Sequence, residues 1–153
     1  MSSVNLYNLN MAPIVLRAFT ALPAAGAYDT PVPTAIVGSV HATIFGEYTQ
    51  GAPTGSVRLR IEVSPFSADQ TAPALTWFPM TSFGQGVPAA GALTASIIEP
   101  EVVTFDPVTA NREGFIFDVA VPASAERIRV SVAELGVVGT PGSCALTLLV
   151  SER

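Results

Sequence analysis

The sequence predicts an all-β fold, an antiparallel β-sandwich or jelly roll, and three observations support this. Several segments alternate apolar and polar residues, which is the period of two that a half-buried strand shows. Turn-forming clusters separate these segments, and 13 Pro and 12 Gly are spread over the 153 residues, so almost no window can hold three helical turns. Short strands at this spacing, seven or more of them, are typical of a sandwich or jelly roll, and helix should be minor.

The N-terminal segment 1–11 is predicted to form an extended arm ahead of a single domain over residues 12–153. The first 32 residues carry only two charged side chains, Arg17 and Asp29. Within the arm, asparagines are interleaved with apolar residues suited to filling pockets on a neighbouring subunit; these apolar residues include Val4, Leu6, Tyr7 and Leu9. The alternative is that the arm folds back on the sheets of its own domain. Residues 12–22 are predicted to supply the first strand.

Three segments show the clearest alternation, and they indicate which side chains face the core. Apolar residues occupy every second position there, namely Val57, Leu59, Ile61, Val63, Phe115, Phe117, Val119, Val121, Ile128, Val130 and Val132. Further strands are predicted at 35–48, 74–80, 93–98 and 102–105. The last predicted strand, 145–150, is apolar on both faces apart from Thr147. That pattern is typical of a central strand or of one whose outer face meets a partner.

Two of these segments also place arginines in pairs on one strand face. The four residues are Arg58, Arg60, Arg127 and Arg129. If the two strands pair, like charges lie close together, which destabilises a sheet. The arrangement therefore requires Glu62 or Asp118 to stand between the arginines, or a partner to supply carboxylates.

The sequence contains no residue set suited to catalysis or to metal binding. Nucleophilic catalysis needs a nucleophile, a base and an orienting group, but His41 is the only histidine and no Gly-x-Ser-x-Gly motif accompanies it. Cys144 is the only cysteine, and its neighbours indicate a small strand residue. A calcium ion near Glu99, Glu101 and Asp106 is the nearest alternative, although such carboxylates more often solvate a strand end. We expect no catalytic residue, no metal and no cofactor.

Charge and hydropathy narrow the range of partners. Charged residues form 12% of the chain and apolar residues 49%, whereas charged residues form about 25% of a typical soluble domain. Part of the surface is therefore expected to be covered by other protein. The net charge of −5 and the absence of lysine argue against nucleic acid as a partner. The N-terminus lacks the pattern of a secretory signal, and no apolar run has the length of a membrane span, so no membrane is expected either.

Trp77 is the one residue beyond the arm that we predict as a partner contact. It opens the densest aromatic cluster, Trp77-Phe78-Pro79-Met80, and Trp77 and Phe78 face opposite sides of a strand. An exposed tryptophan there would stack on a sugar ring or anchor a protein interface. The alternative is that both rings are covered within the domain.

Three features together carry a resemblance to a known group of proteins. An uncharged, Asn-rich segment, Val4-Asn5-Leu6-Tyr7-Asn8-Leu9-Asn10, precedes short strands, and a closing group of strands centres on Glu126-Arg127-Ile128-Arg129-Val130-Ser131-Val132. In this pattern the chain resembles small β-sandwich structural proteins of tailed bacteriophages, especially head decoration and auxiliary proteins. The resemblance implies many copies on the outside of a capsid, as trimers that clamp neighbouring capsid subunits. It carries no functional residue onto this chain.

The sequence and the resemblance together predict a non-enzymatic virion structural protein. The expected role is that of a capsid decoration, or cement, protein that is made in the host cytoplasm, binds the outside of a phage head and bridges capsid subunits. The expected partner is the major capsid protein or another virion protein, and the chain is expected to be a homo-oligomer. Two alternatives stay open: a carbohydrate-binding β-sandwich module and another structural protein of a phage tail or neck. A hydrolase is least favoured, because no carboxylate pair stands out.

Overall fold

Alternation of apolar and polar residues produces strands throughout the part of the chain that the computed structural model describes, residues 12–36, 38–53, 55–71, 76–80, 102–107, 111–136 and 138–152. The strands in chain order are β1 (Ile14–Ala21), β2 (Thr34–Ala35), β3 (Ser39–Thr49), β4 (Ala52–Pro53), β5 (Ser56–Ser64), β6 (Phe78–Pro79), β7 (Val102–Phe105), β8 (Glu113–Ala120), β9 (Arg127–Leu135), β10 (Val138–Thr140) and β11 (Ser143–Glu152). One 3-10 turn, Ala24–Gly26, is the only helical element among these residues. The predicted all-β fold is confirmed.

The strands form two main antiparallel sheets. Sheet A has the order β1-β11-β3-β8, and sheet B has the order β2-β9-β5-β6, with β7 pairing the other half of the same edge of β5. The short strands β4 and β10 pair with each other as a third, two-stranded sheet. The predicted last strand lies within β11, which is central as expected, because β1 and β3 flank it.

The core lies between sheets A and B, and both sheets contribute to one cluster of buried side chains. The largest fully buried members are Tyr48, Ile36, Ile44, Leu59, Ile61, Ile128, Leu146, Leu148, Val57 and Val132. The predicted inward face of β5 and β9 is confirmed by this cluster, while Val63, Phe115 and Phe117 are partly buried at its margin. The sheets therefore pack as the faces of a sandwich.

The strand predicted over 35–48 is wrong as a single element, because the chain changes sheets within it. Thr34–Ala35 pairs with β9 in sheet B, whereas Ser39–Thr49 pairs with β8 and β11 in sheet A. Gly38 stands at the break with a φ of 78°, a left-handed conformation that glycine adopts without steric cost. The strand predicted over 74–80 is represented by Phe78–Pro79, and the strand predicted over 102–105 is confirmed as β7. The strand predicted over 93–98 and the arm 1–11, with Val4, Leu6, Tyr7 and Leu9, lie outside the described residues.

An arginine and an aspartate join the edges of the two sheets. The pairing of β1 with β11 shifts register on both sides of Arg17, and the Arg17 guanidinium donates there to the carbonyl oxygen of Cys144 at 2.8 Å. Its Nε also pairs with the Asp29 carboxylate at 3.0 Å. Asp29 in turn accepts a 2.7 Å hydrogen bond from the backbone N–H of Val132 in β9. These contacts supply partners for the Cys144 carbonyl oxygen beside the register shifts and for the Val132 N–H in sheet B.

Candidate interaction surfaces

Of the residues considered as candidates for chemistry, His41 and Cys144 lie in the described ranges, whereas Glu99 and Glu101 lie outside them. His41 lies exposed in β3, and Cys144 is fully buried in β11. Burial raises the pKa of the Cys144 thiol to about 12, so the thiol stays protonated at neutral pH and is a poor nucleophile. Among the described residues, no group of three or more His, Cys, Asp or Glu side chains is placed to hold a metal ion.

A buried carboxylate, Glu134, holds one end of the sandwich together. Glu134 is only 3% exposed. The Tyr48 hydroxyl and the Gly51 N–H, at 2.8 Å, donate to Oε1, while the Gly142 N–H donates to Oε2 at 2.7 Å. Burial, and then the hydrogen bond to Glu134, raise the pKa of Tyr48 well above its usual value, so the hydroxyl keeps the proton that it donates. These three hydrogen bonds tie β3 and two turns to Glu134 of β9.

The same cluster explains the glycines of two turns. A Cβ at Gly55 or at Gly142 would lie 2.7 Å from Oε1 of Glu134, and one at Gly142 would also clash with the carbonyl oxygen of Thr49. Both turns therefore approach the carboxylate at distances that only glycine permits. Sequence patterning predicted the turns but not the residue on which they converge.

An open cleft lies beside this end of the sandwich. Its volume is about 320 Å³, and its lining consists of Gln50, Gly55, Ser56, Asp106, Pro107, Leu135 and Gly136. Asp106 is the one ionisable side chain among these lining residues, so they offer no acid–base pair.

The outer face of sheet B gathers the four arginines that the sequence predicted to lie close together. The pairing of β5 with β9 places Glu62 opposite Arg129. Glu62 of β5 pairs with an arginine on each strand. Its Oε2 lies 2.8 Å from Nε of Arg129 in β9, and its Oε1 lies 3.2 Å from a terminal nitrogen of Arg60 in β5. The predicted intervening carboxylate is thus Glu62. The other candidate, Asp118, lies in sheet A, where it accepts a 2.7 Å hydrogen bond from Thr43.

Trp77 lies on this face, half-buried, with its ring against two guanidinium groups. The ring centroid is 4.5 Å from the Arg129 carbon Cζ and 5.1 Å from that of Arg127. Both distances fall within the range of cation–π contacts. The ring is therefore engaged with arginines of its own domain, and a partner contact at Trp77 stays a prediction.

The outer face of sheet A carries an apolar row that the sequence did not single out. Successive cross-strand pairs align Val15 with Thr147, Thr147 with Phe45, and Phe45 with Ile116. The exposed fractions are 66% for Val15, 38% for Phe45 and 67% for Ile116. The sequence did contain a signal for this row. Phe45 and Ile116 occupy outward positions of alternating strands, where a sheet facing water normally places polar residues.

Polar pairs flank the apolar row on both sides. On one side Thr43 donates to Asp118 across β3 and β8. On the other side Glu47 pairs with Arg112, whose guanidinium carbon lies 3.8 Å from the centroid of the half-exposed Phe19 ring. An apolar centre within a polar rim is the usual anatomy of a protein interface.

Comparison of the chain with known protein families, with curated proteins and with solved structures found no match. No helix within the described ranges has the length and apolar character needed to cross a membrane.

Proposed function

We propose that the chain is a non-enzymatic structural protein that works by assembly, and that copies of it contact one another through the outer face of sheet A. The observation that carries this proposal is the apolar row of Val15, Phe45 and Ile116, which spans the four strands of sheet A with Thr147 of β11 between Val15 and Phe45. Burying an exposed side chain of this size contributes about 1.5 to 3 kcal/mol. Because the three side chains lie on one face of the sheet, a single partner surface can bury all of them.

The particular form that we propose is a capsid decoration protein on a phage head. The strand pairing supports the jelly roll that this role suggests, because the pairs β1–β11, β2–β9, β3–β8 and β5–β7 are nested. Nested pairs arise when one long antiparallel ribbon wraps into two sheets. Jelly rolls are the fold of many viral capsid proteins, and also of lectins. The engaged ring of Trp77 favours the first of these two roles.

We propose that the segment 1–11 attaches the chain to the capsid. That segment is uncharged and apolar at Val4, Leu6, Tyr7 and Leu9, which suits an extended chain laid along a neighbouring sheet edge. Many identical subunits on a shell need only a modest contact each, because the contacts act together. The partner is then the major capsid protein or another virion protein.

The composition of purified virus particles tests this role. Particles from cultures of the source organism are expected to contain the chain as an abundant component, detected by mass spectrometry after density-gradient purification. A chain with Leu6→Asp should be lost from the particles, because a charge would enter an apolar pocket, while the control Asn8→Asp, which adds the same charge at a polar position, should be retained. Absence of the native chain from every purified particle would overturn the virion role.

A further inference from the structure

The outer face of sheet B, here called the arginine face, is strongly basic on an acidic protein. It consists of Arg58, Arg60, Arg127 and Arg129 with Glu62 and Trp77. The four arginines and Glu62 carry a charge of +3, so the remaining residues carry −8 of the chain's net −5. Four of the chain's seven arginines therefore lie on one face of one sheet.

Part of this charge has no counterion among the described residues. Glu62 is the one described carboxylate within ion-pairing distance of the arginine face, and it is shared by Arg60 and Arg129. The Nε atoms of Arg58 and Arg60 are shielded from solvent and have no hydrogen-bond acceptor within the described ranges. An anionic ligand that reaches the exposed guanidinium nitrogens would meet positive charge that Glu62 alone does not neutralise. The Arg60 side chain is 39% exposed, which leaves it accessible to such a ligand.

Glu62 shows which chemistry this face accepts. Its carboxylate receives one arginine on each oxygen, next to the tryptophan ring that contacts Arg129. Burial alone would raise the pKa of Glu62, but the hydrogen bonds from Arg129 and Arg60 outweigh burial and hold the pKa below its usual value. The face is thus already arranged to bind an ionised carboxylate between two guanidinium groups.

We infer that the arginine face binds an acidic, extended segment of a partner protein, with glutamate or aspartate side chains at alternate positions. Arg58 and Arg60 are two residues apart on β5, which spaces them by about 6.8 Å. Side chains of the same face of an extended partner strand repeat at that spacing, so consecutive carboxylates meet consecutive arginines. This inference rests on sheet B and is independent of the proposed role of sheet A.

Charge favours a short acidic segment over a nucleic acid. A long polyanion would meet the −8 carried by the rest of the chain, and that repulsion acts over about 10 Å at moderate salt. A peptide segment confined to the arginine face meets the local positive charge alone.

Fluorescence of the full chain reports on this face directly, because Trp77 is the only tryptophan and contacts two of the arginines. The probe is a short synthetic peptide that alternates glutamate and threonine, compared with the same peptide carrying glutamine in place of glutamate. The glutamate peptide is expected to change the Trp77 emission saturably at low salt and to bind more weakly as salt rises. The glutamine peptide is expected to have no effect.

Arg58→Gln tests the assignment of the contact without disturbing the Glu62 ion pairs. The affinity for the glutamate peptide should fall by roughly tenfold, the loss expected for one charge-assisted contact. The matched control is Ser124→Asp, which changes the net charge equally at an exposed turn of the chain and should bind as the native chain does. The inference is overturned if the peptide does not bind at low salt, if Arg58→Gln binds unchanged, or if inorganic polyphosphate or duplex DNA binds more tightly than the peptide.

Discussion

Replacement of Glu134 by alanine is expected to lower the free energy of unfolding by roughly 3 to 5 kcal/mol. The substitution leaves three buried donors without an acceptor, namely the Tyr48 hydroxyl and the backbone N–H groups of Gly51 and Gly142. Each unsatisfied donor costs about 1 to 3 kcal/mol, and water entering the space recovers part of it. Urea unfolding followed by circular dichroism measures the change.

Two companion variants make this result specific. Glu134→Gln keeps one acceptor oxygen but turns an amide N–H₂ toward one of the donors, so its loss should be smaller than that of Glu134→Ala. Glu126→Ala removes a half-buried glutamate whose described hydrogen bonds run through its backbone, and it should change stability by less than about 1 kcal/mol. Equal losses for Glu134→Ala and Glu126→Ala would show that the carboxylate does not hold the turns.

Gly46→Ala is expected to destabilise the protein by about 3 kcal/mol, at the upper end for overpacking of a core. A Cβ at this position would lie 2.0 Å from the Phe115 ring carbon Cζ, so the ring lies directly over the Gly46 backbone. Phe115 in turn stacks on Phe105 of sheet B, with ring centroids 4.9 Å apart. Moving the ring therefore disturbs the contact between the sheets, and thermal unfolding should show a lower Tm.

A double-mutant cycle identifies the cause of that loss. Combining Gly46→Ala with Phe115→Leu should cost less than the sum of the two single changes, because the smaller side chain makes room for the new methyl group. Gly114→Ala is the matched control, since a Cβ there would have only an ordinary contact, 3.7 Å from the Gly46 carbonyl oxygen. Additive single effects would mean that the Phe115 ring is not what excludes a side chain at Gly46.

Local pattern predicted the fold class and the strand faces, because both follow from the period of the sequence. Alternation in β5, β8 and β9 placed every second apolar residue inward, while Ile116 of β8 points outward. It also placed four arginines outward, and simple repulsion then required an intervening carboxylate, which is Glu62.

The sequence could not predict contacts that depend on long-range register. Glu134 meets Tyr48 and Gly51 from more than 80 positions away in the chain, so no local signal names it as the residue that holds the turns. The change of sheet at Gly38 is set by which strands β2 and β3 pair with. Likewise the apolar row is continuous only because Val15, Thr147, Phe45 and Ile116 fall in one register.

Sedimentation velocity of the full chain tests most directly whether other copies cover the outer face of sheet A. The native chain should sediment at micromolar concentration as a species larger than its 15.8 kDa monomer. Ile116→Asp puts a charge into the apolar row and should sediment as a monomer, whereas Ser124→Asp should match the native chain. A native chain that stays monomeric, or an Ile116→Asp chain that forms the same oligomer, would contradict the assembly role proposed for this face.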